Sequence, residues 1–125
     1  MAVTNIDLTA PSGAKRYENT ALNGTISAVS SAAGRLYAVR VDNSLNGAAS
    51  YLKMWNVASG SVTVGTTAPD WIFKIPASSK KTFIFVGDID DEFDTALSAA
   101  CVTAGGTAGT TNPTSSVNVQ VVYDT

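Results

Sequence analysis

Residues 117–123 read VNVQVVY, and they carry the clearest strand pattern in the chain. Apolar and polar side chains alternate along this stretch, except at Val122, so one face of the strand should be buried and the other should meet solvent. Residues 36–42, LYAVRVD, show the same alternation. The face of this second strand that is predicted to be buried carries Tyr37, Val39 and Val41. Alternation of this kind is typical of antiparallel sheets with one buried face.

Further strands are predicted between clusters of glycine, asparagine, serine, threonine and proline. They cover residues 25–29, 49–56, 71–75, 81–86 and 96–103. Residues 81–86, KTFIFV, have apolar side chains on both sides, so we expect this strand to be central and buried on both faces. Turn-separated strands with little helix predict an all-β fold, namely a single antiparallel β-sandwich or jelly-roll-like domain of about seven to eight strands.

The first residues differ from the rest of the chain. Residues 1–20 are mostly polar, so we expect an extended N-terminal arm there and the sandwich domain at residues 21–125. A length of 125 residues suits one such domain. Three apolar residues of the arm are candidates for contact with another subunit, where they would anchor an added strand: Val3, Ile6 and Leu8.

The composition excludes several classes of function. The chain has no histidine, so serine–histidine and cysteine–histidine catalysis and histidine-ligated metal sites are not available to it. Eight basic and ten acidic residues give a net charge of −2, which disfavours nucleic acid as a partner. We therefore expect no enzyme activity, no catalytic residue, no metal site and no cofactor.

Cys101 is the only cysteine, so the chain cannot form an internal disulfide. Small and apolar residues alternate around it, which predicts a buried thiol rather than a reactive one. The first ten residues show no signal-peptide pattern, and no apolar run is long enough to cross a bilayer. We expect synthesis in a cytoplasm and no membrane partner.

The predicted strand at residues 49–56 has an unusual outer face, which carries Tyr51, Lys53 and Trp55. Two aromatic rings beside a lysine are not typical of a solvent face, so we expect something to cover them. Tyr51 and Trp55 are therefore predicted interface residues. Burial in the core and stacking on a carbohydrate are the alternatives.

An acidic segment at residues 88–94 holds five carboxylates within seven residues. Oxygen ligands at such spacing could hold calcium. The segment lacks the central glycine and the terminal bidentate glutamate of the helical calcium loop. A solvated turn or an acidic docking surface is the favoured interpretation, and calcium binding is the alternative.

Four runs of sequence resemble small virion proteins of tailed bacteriophages, and they occur in a similar order. They are LYAVRVDN at residues 36–43, YLKMW at 51–55, VGTTAPD at 64–70 and AGGTAGTTNP at 104–113. The third run is the most specific. The resemblance implies a head decoration, or cement, protein that binds and stabilises the major capsid protein lattice, or otherwise a small tail or baseplate component. It offers no catalytic residues, and it does not extend to the arm.

The resemblance also implies a location on the capsid surface and a homo-oligomer, for which a trimer is favoured. Only 14% of the residues are charged, so a repeated assembly could bury part of the surface at little cost in ion desolvation. A carbohydrate-binding or receptor-binding β-sandwich module is the alternative of a different class.

Overall fold

The computed structural model describes residues 13–86 and 91–125. In chain order its strands are β1 (Lys15–Leu22), β2 (Ser27–Ser30), β3 (Gly34–Asp42), β4 (Ser50–Trp55), β5 (Trp71–Ile75), β6 (Lys80–Ile84), β7 (Glu92–Phe93), β8 (Leu97–Val102) and β9 (Val117–Asp124). A 3-10 turn covers Ser59–Ser61. Within the described residues no helix is long and apolar enough to span a membrane.

The strands form two antiparallel sheets with the core between them. Sheet A has the order β1-β9-β3-β6, and β7 pairs with the start of β3. Sheet B has the order β2-β8-β4-β5. Residues from both sheets share one core cluster, which includes Leu36, Val39, Leu52, Met54 and Val121. The predicted antiparallel β-sandwich is therefore confirmed.

Two predicted strands are confirmed almost to the residue. β9 alternates between buried and half-buried residues over its whole length, as the sequence VNVQVVY predicts. β5 has the predicted bounds, and Pro76 follows it. Proline has no N–H to donate, so the ladder with β4 cannot continue past that point.

A β-bulge in β3 changes the face predicted for Tyr37. The pairing with β9 shifts between Leu36 and Ala38, which leaves Tyr37 as the extra residue. A bulge reverses the phase of the alternation, so Leu36 and Val39 are buried while Tyr37 is only half-buried. The prediction that Tyr37 shares the buried face was wrong. Its hydroxyl donates a hydrogen bond of 2.6 Å to Asp124 Oδ2, which raises the pKa of Tyr37.

The sandwich begins earlier than predicted. β1 starts at Lys15, opposite Tyr123, and pairs with β9 as an edge strand of sheet A. Residues 15–20, expected in the arm, therefore belong to the sandwich. Only Leu22 of β1 is fully buried, so the strand carries little of the apolar alternation that reveals β9. The candidate contact residues of the arm lie outside the described residues: Val3, Ile6 and Leu8.

The strand predicted to be central, residues 81–86, is an edge strand instead. Among the described residues β6 pairs with β3 alone, and both Ile84 and Val86 are exposed. β8 is instead buried on both faces, since all six of its residues are buried. Most of its side chains are small, so the layers on both sides can approach closely.

Asn43 is a hydrogen-bonding centre at one end of the sandwich. Its side chain is fully buried, and its Nδ2 donates to the carbonyl oxygens of Ala48 and Pro76, both at 3.0 Å. Its Oδ1 accepts hydrogen bonds from Asn46 Nδ2 at 2.9 Å and from Ser50 Oγ at 2.8 Å. One amide thus joins the turn after β3 to the start of β4 and the end of β5.

Asn46 extends this network to the long loop before β9. Its Nδ2 also donates to the Ser115 carbonyl at 3.1 Å, and the Ser115 N–H donates to Asn46 Oδ1 at 2.7 Å. The Ser78 N–H donates to the Asn46 carbonyl at 2.8 Å. The turn after β3 therefore holds both the β5–β6 turn and the loop of residues 103–116.

The variant Asn43→Ala is expected to lower the free energy of unfolding by about 3 kcal/mol, because it leaves several buried polar groups without partners. Urea unfolding measures this change. The control is Ser116→Ala, an exposed serine of the 103–116 loop, which should change the free energy by less than about 0.5 kcal/mol. Equal effects of the two variants would show that the Asn43 network does not hold the sandwich together.

Candidate interaction surface

Two long loops of the same chain, residues 56–70 and 103–116, cover the outer face of sheet B over β4 and β8. A second apolar cluster beneath them contains Trp55, Val62 and Ala100, with Ile26, Val57 and Val64 packed against it. The two loops also touch each other. Gly65 has a φ of +92°, and a Cβ at that position would clash with Cγ2 of Thr110. The chain itself therefore covers the outer face of sheet B over β4 and β8, whereas Ile72 and Lys74 on the edge strand β5 remain exposed.

Tyr51 and Trp55, predicted as interface residues, lie beneath these loops. Trp55 is 1% exposed, and its Nε1 donates to the Thr67 carbonyl at 3.0 Å. Tyr51 is half-buried, and its ring packs so close to Gly105 that a Cβ added at that glycine would lie 3.0 Å from the ring. The cover expected over this face thus comes from the chain itself. Trp55 is therefore buried in the core, which was one of the interpretations of this face. Its ring offers no free surface to a partner or a sugar.

Lys53 completes the buried face between these two aromatic residues. It is fully buried, and its Nζ donates to the Gly109 carbonyl at 3.3 Å. Burial lowers the pKa of Lys53, because the charged ammonium group loses its hydration. A buried ammonium group held by a neutral carbonyl costs folding free energy.

The outer face of sheet A is open among the described residues and carries an apolar row across three strands. Ala38 is paired with Val122 on one side and with Ile84 on the other, so the three side chains lie side by side. We call them the outer row. Arg16 lies opposite Val122 and ends the row at β1. Val122 is the position where the alternation of VNVQVVY fails, and the register places that exception in the row.

Polar side chains flank the outer row. Gln120 Nε2 donates to Glu18 Oε2 at 2.7 Å across β9 and β1. A shallow depression of about 160 Å³ is lined by Arg40, Asp42, Asn118 and Gln120. Within residues 13–86 and 91–125 the buried Oδ1 of Asn118 has no hydrogen-bond partner. An apolar centre with a polar rim is the usual anatomy of a protein contact surface.

β6 leaves one edge of sheet A unpaired in the described part of the chain. The Phe85 N–H donates to the Tyr37 carbonyl at 2.9 Å, so Phe85 points its backbone groups at β3. Backbone groups alternate in direction along a strand, so Phe83 also faces β3, whereas Thr82 and Ile84 face away from it. This side of β6 therefore presents free donors and acceptors, which we call the free edge.

An aromatic cluster closes the sandwich below the free edge. The ring of Phe73, on β5, lies 4.8 Å from that of Phe83 and 6.0 Å from that of Phe85. β5 and β6 are the edge strands of their sheets, so these rings bridge sheet B to sheet A. The three side chains are only half-buried, which gives the free edge an apolar rim.

The acidic segment is described only in part, since Asp88 and Asp90 lie outside the described residues. Asp91 is fully buried, with Arg35 Nε 3.3 Å from its Oδ1, so it does not fit the expected solvated turn. Arg35 also donates from Nη2 to the exposed Glu92. In the described part of the chain no group of three or more His, Cys, Asp or Glu side chains is arranged to hold a metal.

Cys101 is buried in the core, as predicted. Burial raises the pKa of its thiol to about 12. The thiolate is the nucleophilic form of cysteine, so this side chain is unreactive in the folded protein.

The variant Lys53→Met is expected to keep or raise the melting temperature at pH 7, because it removes a buried charge and retains a long apolar stem. Because the pKa of Lys53 is lowered, the unfolded chain binds more protons than the folded chain between that lowered pKa and the ordinary lysine value of 10.5, so the penalty shrinks as pH rises through this window. The advantage of the variant over the wild type should therefore shrink between pH 7 and pH 10.5.

Melting curves of both proteins across this range measure that difference. The raised pKa of Cys101 lowers the stability of both proteins at alkaline pH. Because Cys101 is present in the wild type and in the variant, its effect cancels from the difference between them. The control is Lys74→Met, since Lys74 is exposed on β5. A difference between Lys53→Met and the wild type that stays constant with pH would contradict the burial of the ammonium group.

No protein-family model matches the chain, and no curated protein is significantly similar to it in sequence. Among solved structures, the chain is similar to the coat protein of Tobacco streak virus, with 9% sequence identity and a TM-score of 0.34. The match covers 95% of this chain and 90% of that chain. The β-sandwich assignment itself rests on the strand pairing of sheets A and B.

Proposed function

We propose that this chain is a non-enzymatic structural protein of a virion, and specifically a head decoration protein of a tailed bacteriophage that binds the major capsid protein. The observation that carries the proposal is the difference between the two outer faces of the sandwich. The middle of sheet B, at β4 and β8, is covered by the chain's own loops, whereas sheet A presents the outer row with its polar rim. The resemblance of four sequence runs to small phage virion proteins points to the major capsid protein as the partner.

Docking on a capsid would bury the outer row. Ile84 is 71% exposed, and burial of apolar area contributes about 25 cal/mol per Å². The side chains of Arg40 and Glu18 lie beside the row. Their hydrogen bonds and charge would fix the orientation of the protein on the capsid. Because only 14% of the chain is charged, few ionic groups have to lose water when this face is covered.

In this proposal the protein is made in the host cytoplasm and ends on the capsid surface as a homo-oligomer, with a trimer favoured. A decoration protein repeats on a symmetric lattice, and closed cyclic assemblies suit such lattices. Neither nucleic acid nor a membrane is a partner in it. The net charge of −2 supports the first of these exclusions.

The chemistry of the side chains supports a role without catalysis. The chain has no histidine to act as a base. Two side chains that could act as nucleophiles are enclosed, since Cys101 lies in the core and Lys53 lies beneath the 103–116 loop. A nucleophile that substrate cannot reach has no catalytic use.

The carbohydrate-binding alternative loses its main residue, because the ring of Trp55 is buried and cannot stack on a sugar. A tail or baseplate role would use the same open face of sheet A. It differs from the decoration role only in the position of the protein on the particle.

Negative-stain microscopy of virions labelled with an antibody against this chain is expected to show label spread over the head. Particles from a virus that lacks the gene for the chain are the control and should carry no label. Label on the tail alone would contradict the decoration role and support the tail or baseplate alternative. Absence of label from the whole particle would contradict a virion role.

The variant Val122→Lys is expected to weaken binding to purified capsids that lack the protein by about tenfold or more, because it puts a charge into the outer row. Sedimentation of the protein with those capsids measures the affinity. The control is Leu45→Lys, a substitution of a 70% exposed side chain in the turn after β3, away from the row. If both variants bind as the wild type does, the outer row is not the capsid contact.

A further inference from the structure

We propose that residues 1–12 of one copy dock on the free edge of β6 in a neighbouring copy, as an added antiparallel strand. The inference deepens the proposed function, and it rests on that function for the existence of an assembly. It names the contact that would hold the oligomer together. Three features of the molecule carry it: the receiving edge, the sequence of the first residues, and the place where they join the sandwich.

The receiving edge is suited to an added strand. Thr82 and Ile84 point their backbone groups away from β3, so they offer an unpaired row to a second strand. An exposed edge with apolar side chains is a template for such addition. Ile84 and Val86 are among the most exposed large apolar side chains of the described residues. A strand beside them would cover both.

The first residues have the pattern that this edge requires. Ile6, Leu8 and Ala10 alternate with the polar residues Asp7 and Thr9. An antiparallel strand that places Ile6 and Leu8 on the outer face would lengthen the outer row by one strand.

The same register puts Asp7 on the opposite face, which β6 shares through Lys81. When Ile6 lies opposite Ile84, Asp7 lies opposite Phe83 and diagonal to the exposed Lys81, whose long side chain can reach the carboxylate. The charges of the two segments are therefore complementary in the register that also aligns their apolar residues.

The position of β1 favours another copy as the donor of an antiparallel strand that pairs with β6 as far as Lys80. Sheet A has β1 at one edge and β6 at the other, and Lys15 lies at the same end of the sheet as Ile84. An antiparallel strand beside β6 would leave that edge at its other end, near Lys80, about 25 Å from the Lys15 of the same chain. With Ile6 or Leu8 beside Ile84, the residues left to close this gap span about 16 Å at most.

The segment joins the sandwich at a turn that can direct it outward. Gly13 is exposed and has a φ of +84°, a conformation that glycine adopts without strain. Each copy would then give one segment and receive one. Such a contact joins two different surfaces, and it closes into a ring when the rotation between copies is right, as in a trimer.

The first test uses the full chain with a proline on the free edge. Thr82→Pro removes an N–H that points away from β3, so it blocks strand addition and leaves the β3–β6 ladder intact. Thr82→Ala keeps the N–H and is the matched control. Light scattering is expected to give the wild-type oligomer for Thr82→Ala and a monomer of 12.9 kDa for Thr82→Pro. A Thr82→Pro oligomer of wild-type mass, or a monomeric wild type, would overturn the inference.

The second test does not depend on the folding of a variant. A synthetic peptide of residues 1–12, added in excess to the wild-type protein, is expected to dissociate the oligomer by occupying β6. The same peptide with Ile6→Asp and Leu8→Asp should not. If the intact peptide leaves the mass of the oligomer unchanged at every concentration, strand exchange is excluded.

These outcomes are separate from those of the proposed function. A monomeric Thr82→Pro chain that still sediments with capsids would support strand exchange and leave the decoration role standing. An oligomer that resists both proline and peptide, in a protein that binds capsids, would overturn strand exchange alone.

Discussion

The sandwich depends on the buried side-chain amide of Asn43. An amide offers two donors and an acceptor with two lone pairs in one plane, and here all of them are used by neighbouring segments. Through Asn46 the network reaches Ser115 and so fixes the end of the 103–116 loop. That loop carries the Gly109 carbonyl over Lys53. The position of the loop over Lys53 therefore depends on Asn43, which lies next to the start of β4.

The small side chains of β8 make this cover possible. β8 lies in the middle of sheet B, with core on one side and loops on the other, and alanine, serine and cysteine let both layers come close. Sheet A has no such layer among the described residues, and its outer face keeps the row formed by Val122, Ala38 and Ile84. The chain thus completes one side of the sandwich itself, and we propose that assembly completes the other.

The all-β class, β5 and β9 could be predicted because alternation along a strand directly records burial on one face. The edge position of β6 could not, because KTFIFV has the same pattern in a central strand as in an edge strand with exposed apolar side chains. The bulge at Tyr37 depends on the register with β9, which no local pattern contains. The face of Trp55 could be recognised as unusual, but the loop that covers it comes from elsewhere in the chain. Asn43 carried no apolar pattern, and only its position among turn-forming residues marks it.

The position of β9 in sheet A has a consequence for folding during synthesis. β9 lies between β1 and β3 and is the last of the described strands in chain order. Until residues 117–124 have been made, β1 has no neighbour to pair with and β3 lacks its longer partner. Sheet A cannot close strand by strand during translation, so its assembly waits for the end of the described chain. A nascent chain that pauses before this point exposes unpaired strands, and unpaired strand edges are prone to aggregate.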